Sequence, residues 1–150
     1  MTSLQRDRTF RILLADDHEL VRRGIRDLFS NNPRWDICGE ATNGREAIEK
    51  VLEMKPDLAN LDITMPELNG IEAAREIRRI APRAKIIILS MHEGLQLELA
   101  ARQAGADGVI VKRSVAESLV QEVEHLLAAN ISDADDSIRD SINNSVELPE

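Results

Sequence analysis

The sequence predicts an α/β protein, a doubly wound five-stranded parallel sheet with helices on both faces. Three observations predict it. Five short apolar runs alternate along the chain with five stretches of helical periodicity. Several of the runs are continuously apolar, as strands buried on both faces are. A helix between each pair of consecutive strands supplies the long crossover that parallel pairing needs, and such crossovers are right-handed.

The first run, "FRILLADD", closes on two acids. "HELVRRGIRDLFSNN" follows, with Leu20, Val21, Gly24, Ile25, Leu28 and Phe29 at helical intervals and a stop at Asn-Asn-Pro. "WDICGEA" is the second run, and "NGREAIEKVLEM" the second helix, with Ala47, Ile48, Val51 and Leu52 on one side. "DLANLD" is the third run and ends on Asp62. "NGIEAAREIRRI" begins a third helix after an Asn-Gly turn. "AKIIILS" is the most apolar run. "EGLQLELAARQAGA" is the fourth helix, ending at Gly105. "DGVIVK" is the fifth run. "SVAESLVQEVEHLLAAN" is the fifth helix, with Ser114 as expected N-cap and Glu117 completing a capping box.

These elements place one globular domain at residues 10–129. Residues 130–150 differ: positions 131–150 hold six acids and one base, and they read as an acidic, largely disordered tail. The chain is 43% hydrophobic and 31% charged but only 2% aromatic, so the core is aliphatic and a stacking platform for single-stranded nucleic acid is excluded. A net charge of -8 is the wrong sign for nucleic-acid binding. No run approaches the ~20 apolar residues of a membrane span, and the charged N-terminus is no signal peptide, so a cytoplasmic protein with no membrane or nucleic-acid partner is expected. The single cysteine, Cys38, allows no internal disulfide and reads as a buried small hydrophobe.

In open parallel sheets, ligands bind beyond the carboxyl ends of the strands. The polar residues there are Asp16 and Asp17 after the first strand, Asp62 after the third, Ser90 after the fourth and Lys112 after the fifth. If the first strand lies between the second and third, these residues converge. Three clustered carboxylates repel one another, and a hard cation such as Mg²⁺, which takes carboxylate, water and phosphate oxygens, relieves this. A phosphoryl group would complete its shell, with Lys112 as point cation and Ser90 as hydrogen-bond donor. Asp62 holds the central position, and a carboxylate can accept a phosphoryl group as nucleophile.

"LLADDH", "PDLANLDITMPELNG", "IIILSMH" and "GADGVIVK", in this order, resemble the receiver domain of two-component response regulators over roughly residues 10–129. "DDHELVRRGI" is most similar to the subfamily whose receivers usually carry a LuxR/NarL-type helix-turn-helix. The resemblance implies a flavodoxin-like (βα)5 fold with strand order 2-1-3-4-5. It implies that Asp62 accepts a phosphoryl group from a sensor histidine kinase or phosphotransfer protein. Asp17, Asp62 and the Thr64 carbonyl would bind Mg²⁺, with Asp16 assisting through water. Lys112 would pair with the phosphoryl group, Ser90 would be the switch hydroxyl, and the Thr64 side chain would tune phosphate lifetime. Output would pass to a protein partner or a homodimer through the face of the fourth helix, fifth strand and fifth helix. Its only catalysis would be its own phosphotransfer and slow dephosphorylation.

The sequence departs from this pattern at three places. Val109 stands where the family usually has a switch aromatic, Asn60 stands where an apolar residue is usual, and the tail is too short and too acidic for a helix-turn-helix. These motivate a second reading, a phosphorylation-independent interaction protein with the same fold, or a shortened relative of a DNA-binding regulator. An aspartate-nucleophile phosphatase is opposed by Thr64, which occupies the place of the required second acid. His18 and His92 read as loop residues. Arg22, Arg23, Arg75, Arg78 and Arg79 read as solvated helix faces rather than a DNA patch.

Overall fold

The computed structural model describes residues 8–128, so the predicted acidic tail lies outside the described residues. Five parallel strands form one sheet in the order β2-β1-β3-β4-β5: β1 (Phe10–Ala15), β2 (Trp35–Ala41), β3 (Leu58–Asp62), β4 (Lys85–Ser90) and β5 (Gly108–Val111). Between them run α1 (Glu19–Phe29), α2 (Gly44–Met54), α3 (Gly70–Ile80) and α4 (Leu95–Gln103), and α5 covers 115–128. This is the flavodoxin-like arrangement expected.

The sheet divides two aliphatic cores. Leu13, Ala15, Ala59, Leu61, Ile86 and Ile88 face α2, α3 and α4, which answer largely with alanines (Ala47, Ala73, Ala74, Ala101). Small side chains let those helices lie close on the strands. Ile12, Leu14, Leu58, Ile87 and Leu89 face α1 and α5, where the larger Ile25, Phe29, Leu119 and Val123 fill the space. Each such fully buried side chain contributes about 1.5–3 kcal/mol. Phe29 meets Trp35 edge-on, with ring centroids 5.2 Å apart. Trp35 pairs with Phe10 at the amino end of the sheet.

β2 is an edge strand, half-exposed along most of its length. Its register with β1 slips after Ile12, which pairs with Ile37 while Leu13 pairs with Gly39. Cys38 is the extra residue of this bulge. It is half-buried rather than buried as the sequence predicts, because it lies on the edge strand, and the burial it does have pushes its thiol pKa up.

One expected cap is corrected. Residues Lys112–Ser114 form a 3-10 turn that leads straight into α5. Ser114 is therefore already helical, whereas an N-cap needs extended backbone. The capping box falls instead at α3, where the Asn69 side chain accepts from the Glu72 N–H at 2.9 Å and Glu72 accepts from the Asn69 N–H at 3.1 Å. Asn43 caps α2 in the same manner, accepting from the Glu46 N–H at 2.7 Å.

Candidate functional site

Four strand ends build the site. β3 carries Asp62 to the centre of the carboxyl edge, between β1 and β4. Asp16 leaves β1 with its N–H still bonded to the Ala41 carbonyl at 3.0 Å. Both acids are 2% exposed, whereas Asp17 stands exposed at the rim. Lys112 reaches over the end of β4 and sets its Nζ 3.1 Å from Asp62 Oδ1 and 3.2 Å from Asp16 Oδ2. Asp16 and Asp62 thus share Lys112, Asp17 has a carboxylate oxygen within 4.8 Å of one on each of those two acids, and Ser90 and Thr64 line a neighbouring cleft.

The electrostatics follow from this crowding. Burial pushes the Asp62 carboxyl above the ordinary carboxylate range, and the neighbouring Asp16 adds to the rise; Lys112 and the Thr64 N–H oppose it. For Lys112, burial favours the neutral amine, but Asp16 and Asp62 outweigh it and hold the ammonium above its usual range. Three acids face one cation, so a further positive charge fits.

The loop after Asp62 is fixed by its backbone. The Ile63 N–H donates to the Leu89 carbonyl at 2.8 Å, and the Gly70 N–H to the Ile63 carbonyl at 2.8 Å. Gly70 is needed because a Cβ there would lie 2.4 Å from the Asp62 carbonyl oxygen. The Asn-Gly pair thus caps α3 and lets the helix start pass directly over the acid-bearing strand. Thr64 is exposed, with its N–H 3.5 Å from Asp62 Oδ1. The Ser90 hydroxyl is buried and engaged in the following loop: it donates to the His92 carbonyl at 2.7 Å and accepts from the His92 N–H at 3.1 Å. A cleft of about 460 Å³ opens beside it, lined by Ile63, Thr64, Met65, Met91 and Leu97 among others.

Two arginines read from sequence as solvated are built into the framework instead. Arg22, only 15% exposed, donates to Glu40 at 2.9 Å and to the Asp16 carbonyl at 2.7 Å, and Arg26 holds the other Glu40 oxygen at 2.6 Å. Burial raises the Glu40 pKa, but the two arginines outweigh it and set it below the usual range. Arg78 donates to the carbonyls of Gly105, Pro82 and Ala84 and to Asp107. Helical spacing alone marks neither residue, because their partners lie on other elements.

Residues 12–124 match the family described as the response regulator receiver domain. The chain belongs to the response regulator receiver family. This receiver is 46% identical over 102 residues to the chemotaxis protein CheY of Thermotoga maritima, covering 68% of the chain and 84% of that protein. Among solved structures it is similar to a LuxR-family response regulator from Aurantimonas (41% identity, TM-score 0.77, 81% of this chain and 86% of that one). It is also similar to the chain of a CheX–CheY–BeF3–Mg²⁺ complex from Borrelia burgdorferi (26% identity, TM-score 0.77, 82% and 92%). The receiver spans 39% and 48% of two longer curated relatives, a methylesterase and a transcriptional regulator. No helix among the described residues is long and apolar enough to cross a membrane.

Proposed function

We propose that this receiver is a phosphoacceptor switch in which Asp62 takes a phosphoryl group from a sensor histidine kinase or phosphotransfer protein. The observation that carries the reading is the Asp62 environment. It is a carboxylate at a central strand end, flanked by a second buried acid and a lysine whose Nζ touches both. Asp62 Oδ attacks phosphorus, and the bond from phosphorus to the donor group breaks. Lys112 exchanges one carboxylate partner for the new phosphoryl oxygens. Asp17, Asp62 and the Thr64 carbonyl would hold Mg²⁺, with Asp16 acting through water. These carboxylate and carbonyl oxygens, with their excess negative charge, are donors that suit Mg²⁺. The ion would supply charge neutralisation between carboxylate and phosphate.

The switch follows from Ser90. In this arrangement its hydroxyl is spent on His92, so a phosphoryl oxygen would have to win it away, drawing the β4–α4 loop toward Asp62. The loop leads into α4, where Leu95 and Leu99 are 72% and 50% exposed. Such apolar exposure suits docking of a protein partner or a second copy on the face of α4, β5 and α5. The CheX-bound relative supports a protein partner. Val109 is partly buried against the α2–α4 core, so propagation would run through the loop rather than through a swinging aromatic on β5. If the loop does not respond, a phosphate-independent interaction protein is the better reading, and Val109 favours it.

Mass spectrometry of the intact protein tests the proposal. Incubation with acetyl phosphate and Mg²⁺ should add one phosphoryl group, and EDTA or Asp62→Asn should abolish the gain. Uptake that persists in Asp62→Asn sinks the assignment.

A further inference from the structure

His18 reads from sequence as a loop residue beside the acids. In the structure its ring belongs to the pocket. Nδ1 lies 3.1 Å from Asp17 Oδ1 and 3.3 Å from Asp16 Oδ1. The His18 backbone N–H donates to that same Asp16 oxygen at 2.9 Å, which anchors the residue over the carboxylates. One donor atom from each of Asp16, Asp17, His18 and Asp62 lies within 4.8 Å of all the others. Metal–ligand bonds of about 2.0–2.2 Å put donors around one ion up to about 4.4 Å apart, so small side-chain shifts close the set. The ring is exposed, so it can add a ligand from the open side of the pocket while the buried acids stay in place.

A nitrogen changes what such a pocket prefers. Carboxylate, carbonyl and water suit Mg²⁺, whereas imidazole suits the later first-row ions, whose affinity rises from Mn²⁺ to Ni²⁺. We propose that His18 is a nitrogen ligand, which converts the carboxylate pocket into a mixed nitrogen and oxygen site preferring a first-row transition ion to Mg²⁺. The inference rests on the reading of this pocket as the metal site. A second consequence is geometric. A ligand on the α1 side of the loop ties the start of that helix to the ion, which oxygen ligands from β1 and β3 alone do not do.

The test uses the full chain with Mn²⁺, Ni²⁺ and Mg²⁺ as probes. Pulsed EPR of bound Mn²⁺ should show coupling to a directly bound ¹⁴N, and His18→Gln should remove it. Calorimetry should show Ni²⁺ affinity falling in His18→Gln by at least the roughly 10–100-fold that loss of a mere orienting partner costs, with Mg²⁺ affinity unchanged. Mn²⁺ that binds through Asp62 without a nitrogen coupling, or a Ni²⁺ to Mg²⁺ preference untouched by His18→Gln, overturns the proposal and leaves the phosphoacceptor reading intact. Binding of both Mn²⁺ and Mg²⁺ that survives Asp17→Asn with Asp62→Asn overturns the shared premise, and this inference with it.

Discussion

The two ends of the sheet use the same residue types to opposite effect. At the amino end, Asp57 accepts from the Arg11 N–H at 2.8 Å and pairs with Arg8. Nearby, Asp107 accepts from the Ile86 N–H at 2.9 Å and pairs with Arg78 at 2.7 Å. Every one of these acids has a cation and a backbone donor of its own. At the carboxyl end, the buried Asp16 and Asp62 share one lysine, with a third acid, Asp17, exposed beside them. Acids with private partners hold strands and loops in register. Acids that must share a partner leave a charge deficit, which an incoming cation and phosphoryl group can use.

The largest way to break this contrast is Asp62→Asn. It should reduce phosphoryl uptake to nil while raising the thermal midpoint. The sign follows from the raised pKa of Asp62. The native state keeps its proton to higher pH than the unfolded chain, so wild-type stability falls as pH rises through the window from the ordinary carboxylate value to the raised one. Thermal melts at stepped pH should show that fall in the wild type, and it should be shallower in Asp62→Asn. A mutant no more stable at neutral pH would mean that Lys112 fully compensates the acids.

Arg78→Ala attacks the other end. It strands three carbonyls and Asp107, and should cost about 2–4 kcal/mol in urea unfolding, with the single phosphoryl uptake retained. Equal loss of uptake would show that the two ends are not separable. Asn60→Leu should move the opposite way. Asn60 is buried in β3 between Leu14 and Ile87, and its Oδ1 has no hydrogen-bond donor. Removing that carbonyl should stabilise the fold by about 1–2 kcal/mol; a loss would reveal a donor such as buried water.

The smallest effect is expected at Glu40→Gln, about 0.5–1.5 kcal/mol. Because Glu40 is depressed, its contribution is present above the ordinary glutamate value and fades as pH falls through the lower folded one. The difference between Glu40→Gln and wild type should therefore shrink in acid. A difference that persists at low pH would assign the effect to packing.

Most of the fold was legible because buried parallel strands announce themselves by unbroken apolar runs: "WDICGEA" is β2 end to end. Strand order was not written in periodicity. It came from the resemblance, since pairing between β1 and β3 joins residues far apart in the chain. The acids of the pocket were legible as polar residues closing apolar runs. Arg22, Arg78 and His18 were not, since each acts on another element or through the shape of a loop. Ser114 misled because a cap motif says nothing of a 3-10 turn arriving from Lys112. Asn60 was visible as an oddity, but only the packing shows that its carbonyl stands alone.

The Phe29–Trp35 contact has a use in the optical laboratory. Trp35 is the chain's single tryptophan, and there is no tyrosine to share its absorbance. It sits at the start of β2, against α1, at the end of the sheet opposite the acids. Its emission therefore reports the melting of one edge of the domain. An ion at Asp62 is too remote to quench it by contact. The protein thus carries a fluorophore that follows folding and lies out of contact with the acids, so a metal-dependent change in its signal measures coupling across the length of the strands.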